Sequence, residues 1–119
     1  VCSGDLLLQA LVACAGVTLN AVATSLGFPV RDAVVRAEGD LDFRGTLGVS
    51  RDAPVGFTDI RLSFAVEGDL TEEQRTTLLR LTERYCVVQQ TLLKSPRIHA
   101  SLSSVLQRRV VLALTAWPD

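Results

Sequence analysis

At 119 residues, with 48% hydrophobic and 21% charged side chains, the chain has the size and composition of one soluble domain around a single core, residues 1–119. Twelve basic and thirteen acidic residues leave a net charge of −1 and, apart from Asp5, are spread from Arg31 onward, so no basic patch for nucleic acid or an anionic membrane is expected. Three cysteines (Cys2, Cys14, Cys86) are too few and too scattered for a secreted disulfide scaffold, and no signal-peptide pattern is present, which predicts a reducing, cytoplasmic setting.

Between residues 6 and 30 no side chain except Cys14 is an ionisable acid or base. The run is long enough to raise a membrane-spanning reading. Gln9, Thr18, Asn20, Thr24 and Ser25 interrupt it, and no Trp or Tyr anchors its ends. It predicts instead a buried central helix over about residues 4–26. Ser3 is the candidate N-cap, Asp5 suits the first turn, and Gly27 followed by Pro29 is the stop. Such a helix is roughly 35 Å long and apolar nearly all round, more than a small domain covers alone, so a second copy is expected to bury one face.

After Arg31 the apolar period becomes two. Val35, Ala37, Gly39, Leu41 and Phe43 alternate with Arg36, Glu38, Asp40, Asp42 and Arg44, and Ile60, Leu62, Phe64 and Val66 repeat the pattern against Arg61, Ser63 and Glu67. The intervening "GVSRDAPVGF" reads as a loop joining an antiparallel ribbon. Thr71 with Gln74 predicts a capping box opening a second helix. Leu78, Leu79 and Leu81 are its expected buried stripe, Glu72, Glu73, Arg75, Arg80, Glu83 and Arg84 its solvated side, and Cys86 its end. A short strand is expected around Ile98, Ala100 and Leu102, and residues 103–119 stay unassigned, because their apolar run suits a strand or a helix equally. The class is α+β with an antiparallel sheet.

The cysteines admit two readings. Free cysteine is among the most buried residue types, which makes Cys14 and Cys86 ordinary core residues. As a reactive pair they need a thiolate, and an unperturbed thiol, with a pKa of about 8.5, is mostly protonated at neutral pH. The helical neighbours of Cys14, namely Ala10, Leu11, Val17 and Thr18, bring no cation, and Arg44 is the internal candidate to supply one. Gly16 suggests a close approach of backbone or ligand beside the thiol. Cys2, about 18 Å along the helix from Cys14, is read as a bystander. With His99 the three cysteines could form a Cys₃His zinc site, but no C-x-x-C pair exists, so no metal and no cofactor is expected. His99 and the acids Asp40 and Asp42 read as solvated surface, and no phosphate loop, nucleophile elbow or H-E-x-x-H motif occurs.

Taken together, "SGDLLLQALVACAGVTL", "EGDLDFRG" and "LTERYCVVQQTL" resemble the OsmC/Ohr family of osmotically inducible and organic hydroperoxide resistance proteins, over about residues 3–102. The resemblance implies an OsmC-like fold, an intertwined homodimer and a thiol-dependent peroxidase. In that scheme Cys14 attacks an organic hydroperoxide, Cys86 resolves the sulfenic acid through a reversible disulfide, and a dithiol reductant restores both thiols. Family members begin with strands that precede the central helix, one of which carries an arginine that activates the first cysteine, whereas this chain starts immediately before the helix. The alternative is a catalytically silent dimer of the same fold, serving as an apolar-ligand binding module or as a remnant of a longer protein.

Overall fold

The computed structural model describes residues 3–104. Cys2 and the unassigned tail beyond Ser104 lie outside them. The apolar run forms one helix, α1 (Ser3–Leu26), in which Ser3 is already helical rather than its cap. Gly27, at φ 69°, ends it. The N–H of Phe28 donates to the carbonyl of Ala23 (2.9 Å) and that of Gly27 to the carbonyl of Thr24 (3.2 Å), which makes a Schellman stop with Phe28 packed back near Ala23.

Two twelve-residue strands follow, β1 (Val30–Leu41) and β2 (Phe57–Gly68), paired antiparallel from Val30 opposite Gly68 to Leu41 opposite Phe57. Their alternation is the expected one: Val35, Ala37 and Leu41 of β1 and Ile60, Leu62, Phe64 and Val66 of β2 are half-buried, while the residues between them face outward. Gly39 lets the Phe57 ring cross the ribbon, because a Cβ there would lie 2.6 Å from that ring, and Gly4 of α1 receives the ring's far edge.

β1 does not continue through Phe43 and Arg44 as the alternation suggested. Asp42 instead caps a single helical turn, α2 (Phe43–Thr46), accepting from the Arg44 N–H at 3.0 Å. A short carboxylate that reaches the backbone two residues on favours a cap over a strand.

Two further helices, α3 (Glu72–Tyr85) and α4 (Val87–Leu93), complete the described fold. The capping box forms with both halves in place: Gln74 N–H donates to Thr71 Oγ1 at 3.1 Å and Thr71 N–H to Gln74 Oε1 at 3.0 Å. The buried positions of α3 are Leu78 and Thr82, one turn apart, with Leu81 half-buried. Leu79 is exposed, since it lies about 100° round the helix from Leu78. Arg75 is not free on the solvated side either. Its guanidinium reaches back to the carbonyls of Val66 (2.8 Å) and Gly68 (3.1 Å) and ties α3 to the end of β2.

Residues 95–103 take up no helix or strand, and Ile98 and Leu102 are 83% and 99% exposed. The expected strand fails because the described residues offer it no partner: the sheet has two strands, β1 and β2.

The core is two clusters strung along α1. Leu11, Ala15 and Cys86 form one, against Val35, Ala37, Ile60, Leu62 and Phe64; Leu19, Ala23 and Leu78 form the other, against Phe28, Val30, Ala33, Val66 and Leu70. Within one protomer only the stripe Leu11, Ala15, Leu19 and Ala23 of α1 is fully buried. By length and composition α1 could cross a membrane. Its packed stripe and its position across the ribbon make it the core helix of an α+β fold.

Gly16 has no close neighbour within the protomer, since a Cβ there would meet only Val35 Cγ2, at 4.0 Å. The close approach expected from sequence is therefore absent among the described residues. Gly16→Ala should raise protomer stability by about 0.5–1 kcal/mol in denaturant unfolding, the usual gain of alanine over glycine inside a helix. A loss of similar size would mean that a second chain or a ligand occupies the space.

Candidate active site

Cys14 and Cys86 come together from opposite ends of the described chain. Cys14 sits beside Ala15 at the edge of the buried stripe of α1 and is half-buried; its carbonyl accepts from Thr18 Oγ1 at 2.8 Å. Cys86 is the joint between α3 and α4. It is fully buried and extended (φ −74°, ψ 108°), so α3 ends on it and α4 starts from it. Its N–H donates to the carbonyl of Thr82 (3.0 Å), and its own carbonyl accepts from the Gln90 N–H (2.9 Å). The Gln90 amide crosses the joint to the carbonyl of Glu83 at 2.8 Å and braces the bend. Both cysteines are free thiols, and Cys14 packs against the buried cluster that holds Cys86.

The contact makes the two thiols unequal. Burial pushes the Cys14 thiol up, but the Val88 N–H, the Cys86 thiol, the Val87 N–H and the Thr18 hydroxyl together outweigh it, and the net shift is downward. Cys86 goes the other way: burial raises it, and the neighbouring Cys14 sulfur raises it further, against the N–H groups of Gln89 and Val88. The two neighbouring thiols thus shift in opposite directions, Cys14 downward and Cys86 upward.

Among the described residues no cation contributes to that shift. Arg44 does not serve Cys14: its guanidinium is held by the Asp42 carboxylate, at 2.7 Å from Nη2 to Oδ2 and 3.1 Å from Nε to Oδ1. Arg84 lies over the Tyr85 ring, and Arg61 bridges Asp40 and Asp59. Asp40 and Asp42 are thus ion-pair and capping residues rather than an acid–base pair, and His99 is exposed. No group of three metal-ligating side chains converges among the described residues.

Sequence reasoning missed the groups that stand in for the cation. Thr18 carried a legible signal, being one turn beyond Cys14. The N–H groups of Val87 and Val88 carried none, because nothing in "ERYCVVQQ" states that the helix breaks and restarts at Cys86.

The OsmC-like protein family model matches residues 1–101. No curated protein matches the chain. Several solved structures share the fold. An OsmC-like protein from Mycoplasma pneumoniae has a TM-score of 0.66 at 19% identity, over 76% of this chain and 60% of that one. An OsmC-like hydroperoxide resistance protein from Jannaschia sp. CCS1 has a TM-score of 0.60 at 19% identity, over 79% and 61%. The chain therefore spans about 60% of the length of these relatives.

The inequality of the thiols predicts a pH profile. Because the thiolate is the reactive form, alkylation by iodoacetamide should rise with pH through each thiol's pKa. Peptide mapping should show Cys14 alkylated with a midpoint below that of the same cysteine in the denatured chain, and Cys86 with a midpoint above its denatured value. The reverse order would overturn the assignment.

Proposed function

The chain belongs to the OsmC-like protein family, and on that footing we propose that it is a thiol-dependent peroxidase that reduces organic hydroperoxides, with Cys14 peroxidatic and Cys86 resolving. The observation that carries the proposal is the packing of Cys14 against the cluster that holds Cys86, with the first thiol shifted downward and the second upward. The Cys14 thiolate attacks the terminal oxygen of the hydroperoxide. An S–O bond forms, the O–O bond breaks, and the departing alkoxide takes a proton from solvent and leaves as the alcohol. Cys86 sulfur then attacks Cys14 sulfur, the S–S bond forms, and the sulfenic oxygen leaves as water. A dithiol reductant supplies two electrons and two protons and reopens the disulfide, which places the protein in a reducing compartment such as the cytoplasm. No cofactor enters the cycle.

The same reading extends to assembly: residues 1–119 act as one OsmC-like domain within a homodimer. Leu6 and Val17 of α1, 60% and 73% exposed in the protomer, are apolar surface that a second copy would cover. Sedimentation at micromolar concentration should give a dimer, and a stable folded monomer would remove this part of the proposal.

Thiol titration tests the chemistry. One equivalent of an organic hydroperoxide should remove two of the three thiols, and mapping should recover a Cys14–Cys86 disulfide. Cys86→Ser should stop at sulfenic acid on Cys14 and then over-oxidise. Cys14→Ser should abolish consumption, while Cys2→Ser should leave it unchanged. A wild-type chain that consumes hydroperoxide no faster than free cysteine would favour the silent binding reading, in keeping with the absence of a cation at Cys14 among the described residues.

A further inference from the structure

Thr82 and Cys86 are the two largest side chains that are fully buried among the described residues. They lie one turn apart on the inner face of α3, and the Cys86 N–H closes that turn on the Thr82 carbonyl at 3.0 Å. Leu78, one turn before Thr82, packs with Leu19 and Ala23 of α1, and Cys86, one turn after it, packs with Leu11 and Ala15. Thr82 therefore faces α1 between the two clusters, out of reach of solvent. Its Oγ1 has no hydrogen-bond partner among the described residues. Other helical threonines here satisfy themselves locally: Thr18, Thr76 and Thr91 each donate to the carbonyl four residues back, at 2.8, 2.9 and 2.7 Å. Thr82 does not, although it is the most deeply buried of them. A buried hydroxyl is ordinarily paired, and one left open beside a reactive thiol calls for a partner that arises during the reaction.

We propose that Thr82 is the hydrogen-bond donor to Cys86 in the resolving step: its hydroxyl turns about the Cα–Cβ bond onto Cys86 Sγ as that sulfur attacks the Cys14 sulfenic acid. The inference rests on the peroxidase reading and adds a residue to it. In this step the Cys86 S–H proton passes to the departing hydroxyl of the sulfenic acid, the S–S bond forms, the S–O bond breaks and water leaves. The Thr82 hydrogen stays on its own oxygen throughout. A neutral thiol sulfur is a weak acceptor, so the reduced pair gives Thr82 little to bind. As the proton departs, negative charge grows on a sulfur that no water reaches, and a hydrogen bond to a charged group is about twice as strong as a neutral one. Burial is the largest influence raising the Cys86 thiol, so a donor aimed at that sulfur acts where ionisation is hardest. Threonine has two rotamers open to it in a helix, and exchanging them swaps a hydroxyl for a methyl of similar size, so the motion needs no new space.

The test separates the two steps of one turnover in a Cys2→Ser background, with cumene hydroperoxide as oxidant and dimedone as the trap for sulfenic acid. Thr82→Val keeps the shape and removes the hydroxyl. Because that hydroxyl has no partner in the reduced chain, the denaturant midpoint of the variant should equal or exceed that of its parent. Sulfenic acid should form on Cys14 at the parent rate, while its conversion to the Cys14–Cys86 disulfide should slow by about tenfold, the lower end of what a hydrogen bond to a charged group is worth, so that dimedone-labelled Cys14 accumulates. Thr82→Ser, which restores the donor, should return the disulfide rate to near that of the parent. Should Thr82→Val fail to fold, Thr82→Ala gives the same comparison. An unchanged disulfide rate in the variant without the hydroxyl, or an equal slowing of both steps, would overturn the role of Thr82 and leave the peroxidase reading intact. A parent chain that forms no sulfenic acid on Cys14 would overturn both.

Discussion

The approach of the α3–α4 joint to α1 depends on Ala15. It is fully buried between Leu11 and Leu19 on the inner stripe of the helix and shares a cluster with Cys86. A methyl group at that position lets the bend carrying Cys86 come down onto the helix beside Cys14; a longer side chain would hold the bend away by its own length. The ribbon packs on the same cluster through Val35, Ala37, Ile60 and Leu62. One small residue thus sets the spacing among the central helix, the sheet and the joint, and with it the distance between the two sulfurs.

The site works with dipoles in place of a charge. The N–H groups of Val88 and Val87 and the Cys86 thiol lower the Cys14 thiol, while the Thr18 hydroxyl donates to the Cys14 carbonyl at 2.8 Å. Hydrogen bonds to a charged group are each worth about 1.5–3 kcal/mol, enough in combination to offset the burial of a half-exposed thiolate. The same arrangement raises the Cys86 thiol, whose burial already favours the neutral form. The two thiols are therefore distinguished by what surrounds them, as in other sites where two like groups are set to different pKa values by their environments.

Much of this was legible in the sequence where a local rule governed it. Alternation between Val35 and Leu41 and between Ile60 and Val66 gave the ribbon, Thr71 with Gln74 gave the start of α3, and Gly27 gave the end of α1, because each depends on residues within a few positions. What failed depended on distant partners. Ile98 and Leu102 alternate like a strand but have no neighbour to pair with among the described residues. Arg75 reads as a surface charge until the carbonyls of Val66 and Gly68 are placed beneath it. The cysteines were the plainest case: residue pattern alone favoured two core thiols, and the motifs resembling the OsmC/Ohr family pointed to a pair. The contact itself follows only from how α4 restarts at Cys86.

The account stands on the claim that the neighbouring Cys86 helps to lower the pKa of the Cys14 thiol. Ultraviolet titration of thiolate absorbance, in a Cys2→Ser background, measures this directly when repeated with Cys86→Ala. Loss of the donor thiol should move the Cys14 midpoint to higher pH. A midpoint that stays put or falls would show that Cys86 lies near Cys14 without acting on it, and would contradict the claim.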